Sequence, residues 1–181
     1  MQAVLTLAEL EQRAKLLAAE LIPALQKAGC TVAAAESCTG GLFTKYITDI
    51  PGSSAVLDGS VITYANRIKT KVCGVEPRVL DRFGAVSEPV ARQMACGIRS
   101  FIGADFGIGI TGLAGPGGAT EGKPVGLVYI GCADADGCTV ISRLSVPPKE
   151  LDPVASRAFV RTESVAAALE LLIQRLCKEK A

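Results

Sequence analysis

The sequence predicts an α/β fold, a three-layer α/β/α sandwich on a mostly parallel, mixed sheet of about five strands. Two observations carry most of that expectation. Helical segments alternate with short apolar runs along the chain, the pattern that lays parallel strands between two layers of helices. Near the C-terminus the alternation gives way to two strand-like runs joined by DADG, which contains an Asp-Gly hairpin signal.

The elements follow in order. Thr6 to Gly29 reads as the first helix: Thr6 and Glu9 have capping-box spacing, Leu10, Ala14, Leu17, Leu21 and Leu25 recur at helical spacing, and Gly29 suits a C-cap. Thr31 to Ala35 is a short apolar run that suits a buried strand. A second helix is expected from about Thr39 to Asp49, then a Pro51-Gly52-Ser53 turn, a strand over Ala55 to Tyr64, and short helices over Asn66 to Cys73 and Pro77 to Phe83. Ser87 is a good N-cap and Pro89 lies in the first turn of the helix it opens, which runs to about Ile102. Phe106 to Thr111 reads as strand, Gly112 to Pro124 as a glycine-rich loop, and Val125 to Ala133 with Thr139 to Val146 as the hairpin. After the proline-rich connection Pro147 to Pro153, a final helix runs from about Val154 to Lys178. There is no internal repeat, charged tail or linker, so residues 1–181 are expected to form a single domain.

Composition narrows the function. The chain is 49% hydrophobic but only 4% aromatic, with no Trp, so Ala, Val, Ile and Leu must build the core. The 19 basic and 18 acidic residues leave a net charge of +1, no excess with which to neutralise the phosphates of a duplex; nucleic acid is not an expected partner. No signal-peptide pattern opens the chain and no apolar run reaches the ~18 residues of a membrane span, so no membrane association is expected and the location expected is cytoplasmic. The seven cysteines, Cys30, Cys38, Cys73, Cys96, Cys132, Cys138 and Cys177, are odd in number and include no CxxC pair. They read as reduced thiols acting as small hydrophobes, not as a disulfide framework or zinc site. The chain has no histidine, which removes Ser-His-Asp and Cys-His catalysis and the commonest transition-metal ligand. In a hydrolase of this composition Lys, Tyr, Asp or Glu must move the protons.

Ligands in such sheets bind beyond the carboxyl ends of the strands, which directs attention to the loops after Ala35, Tyr64 and Thr111. Ser37, in ESCTGG, falls between a strand and a helix. Near a helix start the N–H groups of Cys38, Thr39 and Gly40 can hold a phosphate or an oxyanion, and Gly40 and Gly41 permit close backbone approach. The plainer reading is a helix cap followed by glycines that permit tight packing; the segment is not GxSxG. Tyr64 ends a strand and Lys69 follows on the next helix. An exposed lysine and a half-buried tyrosine are the ordinary explanation, yet a desolvated lysine accepts a proton and a tyrosine hydroxyl can orient it or relay one. Lys45 and Lys71 have the same chemistry. Thr111 ends FGIGIT, and the GLAGPGG that follows can wrap a phosphate with backbone N–H groups, although it lacks the ending of a P-loop. Gly107, Gly109 and Gly112 match GxGxxG only formally, and packing is their expected role. Arg157 and Arg161 stand one helical turn apart; they read as surface residues or as a bidentate grip on phosphate or carboxylate. Glu36 either pairs with a cation or orients the Ser37 turn.

The segments AAAESCTGGL, VITYANRIK, GAVSEPVARQMACGIR, GIGITGLAGPGG, KPVGLVYIG and SRAFVR together resemble the carboxy-terminal domain of the competence/damage-inducible protein CinA, a family whose stand-alone members are nicotinamide-nucleotide amidases. The resemblance runs from about Leu7 to Leu176 and looks like the stand-alone form. It implies hydrolysis of nicotinamide mononucleotide to nicotinic acid mononucleotide and ammonia by a Ser-Lys type mechanism, with no cofactor and no metal. The family's serine, tyrosine and lysine match Ser37, Tyr64 and Lys69. Its ITG threonine matches Thr111, and its phosphate-contacting arginine matches Arg157 or Arg161. The substrate-binding set then comprises Cys38, Thr39, Gly40, Thr111, Gly112, Gly115, Gly117 and Gly118 with the two arginines. The sequence departs from the family's usual pattern at Ala119, in GPGGAT, and at Ala155-Ser156, where Gly-Asp is usual. Two rival readings stand beside this one: a binding or regulatory module that holds a nucleotide without turnover, and a hydrolase of another amide or ester. Apolar helix faces are compatible with a homodimer.

Overall fold

The computed structural model describes residues 5–178. Five strands form one sheet in the order β2-β1-β3-β4-β5: β1 (Val32–Glu36), β2 (Leu57–Ile62), β3 (Phe106–Gly112), β4 (Leu127–Asp134) and β5 (Gly137–Leu144). β1 runs parallel to both β2 and β3, whereas β4 and β5 are antiparallel additions. The helices are α1 (Leu7–Ala28), α2 (Leu42–Thr48), α3 (Asn66–Cys73), α4 (Pro77–Phe83), α5 (Glu88–Ile102) and α6 (Pro153–Lys178). A 3-10 turn, Ser53–Ala55, precedes β2. This is the expected mixed α/β/α sandwich.

The period-2 pleat divides the core. Val32 and Ala34 with Phe106, Ile108 and Ile110 face α1, α2 and α6, while Ala33 and Ala35 face the layer containing α3 and α5. On that second face β3 carries Gly107 and Gly109. A Cβ on Gly107 would lie 2.2 Å from Ala95 O, and one on Gly109 would lie 2.6 Å from Ala91 O. The glycines therefore let the backbone of α5 lie directly on β3, and this, not a dinucleotide fingerprint, explains their spacing.

α1 has the capping box expected of Thr6 and Glu9, and ends on Gly29 in the left-handed conformation. The hairpin turn is fastened by Asp134, whose Oδ1 accepts from the N–H groups of Asp136 and Gly137 and whose Oδ2 pairs with Arg175 of α6. Two expectations are corrected. α2 begins at Leu42, not near Thr39, because residues 38–41 form a turn. Ser87 occupies the N-cap position of α5, but its hydroxyl donates to Gly84 O at 2.8 Å instead of capping the helix.

Candidate active site

The carboxyl ends of the three parallel strands converge on a pocket of about 230 Å³. Ser37 follows β1, Tyr64 follows β2, Thr111 lies near the end of β3, and all three line the pocket together with Lys69 from α3 and Arg157 from α6.

Lys69 is 1% exposed. Its Nζ donates to Thr63 O at 2.7 Å and Tyr64 O at 3.0 Å, and lies 3.0 Å from Ser37 Oγ. Two carbonyls thus fix two of the positions around nitrogen, and the third is turned to the serine hydroxyl. In the ammonium form that position is an N–H; in the neutral amine it is the lone pair. Burial lowers the Lys69 pKa from the ordinary 10.5, offset in part by the Cys38 and Cys73 thiols. The arrangement can therefore take a proton from Ser37 Oγ.

The turn that carries Ser37 is held from both sides. Glu36, fully buried at the end of β1, turns its carboxylate into the start of α2. It accepts from Gly41 N at 2.9 Å, Phe43 N at 3.1 Å, Thr44 N at 3.0 Å and Thr44 Oγ1 at 2.6 Å. Glu36 consequently orients the turn and has no cationic partner among the described residues. Because it fills the anion seat at the head of α2, that seat is closed to a ligand. From the other side Arg161 donates through Nε and Nη2 to Thr39 O, at 3.2 and 2.6 Å. Gly40 and Gly41 have φ of +58° and +94°, which a side chain would strain. Gly40 N–H donates to Ser37 O, and neither Thr39, which is fully buried, nor Gly40 lines the pocket, so of the three N–H groups expected to face a ligand that of Cys38 is left, and it donates to no other residue among those described. Thr39 Oγ1 is also buried without a partner among the described residues, so the turn retains a polar group whose desolvation is uncompensated.

The remaining residues divide. The Tyr64 side chain is 62% exposed, and its hydroxyl accepts from Arg157 Nη2 at 3.4 Å; it is the Tyr64 carbonyl, not the phenol, that touches Lys69. Arg157 also donates through Nη1 to Gly115 O and lines the pocket, whereas Arg161 lines a separate crevice with Lys15, Lys45 and Tyr46. Thr111 Oγ1 donates to Ala85 O at 2.8 Å, tying the end of β3 to the loop before α5. Gly112, Gly115 and Gly117 line the pocket and Gly118 does not. The Gly115–Pro116 peptide is cis. The buried Cys38 thiol also reaches the pocket, but burial pushes its pKa up to about 12. Of the lysines with the same chemistry, Lys45 pairs with Asp49 on the surface, and Lys71 lies outside the pocket. Of the two roles expected for Glu36 the structure gives the second, orienting the Ser37 turn; what the sequence did not signal is that it does so by capping the start of α2. No group of three or more Cys, Asp or Glu side chains among the described residues can hold a metal ion. No helix among them is long and apolar enough to cross a membrane.

Fold and site together define an α/β sandwich with a buried lysine–serine contact at the carboxyl ends of its parallel strands. A family model described as CinA C-terminal domain matches residues 14–176, and the chain belongs to that family. Relatives include a CinA-like protein of Thermosynechococcus vestitus, 50% identical over 152 residues, which is 84% of this chain and 35% of the relative. Another is a protein of Shewanella oneidensis named nicotinamide-nucleotide amidohydrolase PncC, 43% identical over 163 residues, 90% of this chain and 37% of the relative. The chain thus spans about a third of the length of these relatives. Among solved structures, the competence/damage inducible protein CihA of Agrobacterium tumefaciens superposes with a TM-score of 0.83 at 38% identity, covering 90% of this chain and 94% of that one. A CinA superfamily protein of Escherichia coli gives 0.75 at 26% identity, covering 87% of this chain and 90% of that one.

Proposed function

We propose that this chain is an amide hydrolase that converts nicotinamide mononucleotide to nicotinic acid mononucleotide and ammonia, with Ser37 as nucleophile and Lys69 as its base. The observation that carries the reading is the 3.0 Å approach of the buried Lys69 Nζ to Ser37 Oγ at the wall of an open pocket. The name of the Shewanella oneidensis relative supports the substrate.

In this scheme neutral Lys69 takes the Ser37 proton as Oγ bonds to the carboxamide carbon. The N–H group of Cys38, at the pocket lining, receives the oxyanion; one good donor of this kind was worth roughly 3–4 kcal/mol in a protease. Lys69 then returns the proton to the amide nitrogen, the C–N bond breaks and ammonia leaves. Water, giving its proton to Lys69, attacks the acyl-enzyme and releases the acid and free Ser37. Arg157, at the pocket wall beside Gly115, meets the substrate phosphate and holds the amide in reach. The residues require no metal for these steps. The Cys38 thiol, protonated at neutral pH, is not the nucleophile.

The test is ammonia release from nicotinamide mononucleotide by the purified chain, beside a panel of other nicotinamide-bearing nucleotides. Release that disappears in Ser37→Ala supports the scheme. Thermal stabilisation by the nucleotide with no ammonia would replace it with a binding module, and turnover of another amide alone would change the substrate.

A further inference from the structure

Two of the seven cysteines lie at the seam where α5 packs on β5, away from the pocket lining. Cys96 is exposed on α5, and Cys138 is half-buried at the start of β5. Arg92 precedes Cys96 by one helical turn and donates through Nη1 to Cys138 O at 2.5 Å, so this stretch of α5 lies over the first residues of β5. In the sheet register Cys138 stands opposite Ala133 and, through it, in line with Gly107, on which Ala95 of α5 sits, so the Cys138 side chain rises on the face that α5 covers, beside Cys96; its thiol donates to Thr139 O at 3.8 Å. No third Cys, Asp or Glu among the described residues joins them in a metal-binding group, which leaves thiol chemistry as what the pair can do.

We propose that Cys96 and Cys138 form a reversible disulfide that ties α5 to β5, with a low-molecular-weight disulfide such as glutathione disulfide as the oxidant. The exposed Cys96 thiolate attacks one sulfur of glutathione disulfide; that S–S bond breaks, one glutathione thiolate leaves, and a mixed disulfide forms. Cys138 then gives up its proton to the departed thiolate and attacks Cys96 Sγ. The mixed disulfide breaks and the second glutathione leaves. Two protein thiols are oxidised, and one glutathione disulfide is reduced to two thiols. The order follows from the surroundings: burial first, then the charge and hydrogen bond of Cys96, raise the Cys138 pKa to about 12, so Cys138 is the thiol that resolves, not the one that attacks the oxidant. The ring closed in this way encloses β3, the Thr111 to Gly117 stretch and β4, so it limits the unfolded chain across a segment that lines the pocket.

The experiment treats the reduced full chain with glutathione disulfide and reads intact mass, peptide map and Tm. The expected result is a loss of two hydrogens per chain, a Cys96–Cys138 linked peptide, and a Tm several degrees higher that returns to the reduced value with dithiothreitol. Cys96→Ser and Cys138→Ser should each abolish the linked peptide and the Tm rise, while Cys177→Ser keeps both. Stable glutathionylation of Cys96 without ring closure overturns the proposal, and so does linkage of Cys96 to any other cysteine. Both readouts come from the unmodified sequence, so a variant that fails to fold does not decide the matter.

Discussion

Lys69 Nζ stands 3.0 Å from Ser37 Oγ, with its other two contacts on the carbonyl oxygens of Thr63 and Tyr64. Those carbonyls are backbone groups at the end of β2, so the sheet itself aims the amine. Ser37→Ala is expected to lower kcat by about 10⁴-fold or more, and Lys69→Ala by about 10²–10⁴-fold, with circular dichroism confirming that each variant is folded. Cys38→Ala should retain most of the activity, because its thiol is held protonated.

The same contact predicts a pH dependence. Only neutral Lys69 accepts the proton, so kcat/KM should rise with pH through the folded-state Lys69 pKa, which burial holds below 10.5. The linkage has the same sign. Between the lowered folded value and 10.5 the unfolded chain binds a proton that the folded chain has released, so the Lys69 contribution to stability grows as pH rises through that window. Denaturant unfolding of the wild type and of Lys69→Met across this range measures it; the variant should lose that part of the slope.

Glu36→Gln should disturb the turn without touching the pocket. The amide keeps the shape of the side chain but sets an NH₂ against N–H donors of Gly41 and Phe43 or of Thr44. The expected loss is about 2–3 kcal/mol of folding stability, read by urea unfolding, together with a lower kcat and little change in KM.

The two arginines should separate kinetically. Arg157→Ala is expected to raise KM for nicotinamide mononucleotide, lowering kcat/KM by about 10–100-fold, and to change little for the riboside, which has no phosphate. Arg161→Ala releases the Thr39 carbonyl and should lower kcat on both. A steady-state comparison of the two substrates checks each arm.

Gly109→Ala drives a Cβ to 2.6 Å from Ala91 O, where neither backbone can yield cheaply. A destabilisation of about 2–3 kcal/mol is expected, measured by thermal or urea unfolding.

Much of this was legible in the sequence for physical reasons. Alternation and the Asp-Gly hairpin gave the sandwich, and the capping signals placed both ends of α1. Absence of histidine points to lysine, and the Tyr64–Lys69 spacing puts Tyr64 just after β2 and Lys69 on α3, close together at one end of the sheet. What stayed hidden depends on three-dimensional partners. Helical periodicity from Thr39 onward does not reveal that Glu36 claims the first free N–H groups and delays α2 to Leu42. The sequence points to the Tyr64 phenol, yet its backbone carbonyl makes the contact with Lys69, and any residue type supplies that group. Arg157 and Arg161 share a helix face and are equivalent by spacing; only the packing of α6 gives one to the pocket and the other to the Thr39 turn. Cys96 and Cys138 lie on different elements, so nothing local marks them as a pair.

The most direct measurement is rapid acid quench of the chain during turnover of nicotinamide mononucleotide, followed by peptide mass mapping. The account predicts an acyl adduct, the substrate less ammonia, on Ser37 of the peptide containing ESCTGG, absent in Ser37→Ala along with ammonia release. An adduct on Cys38, or undiminished ammonia release by Ser37→Ala, would contradict it.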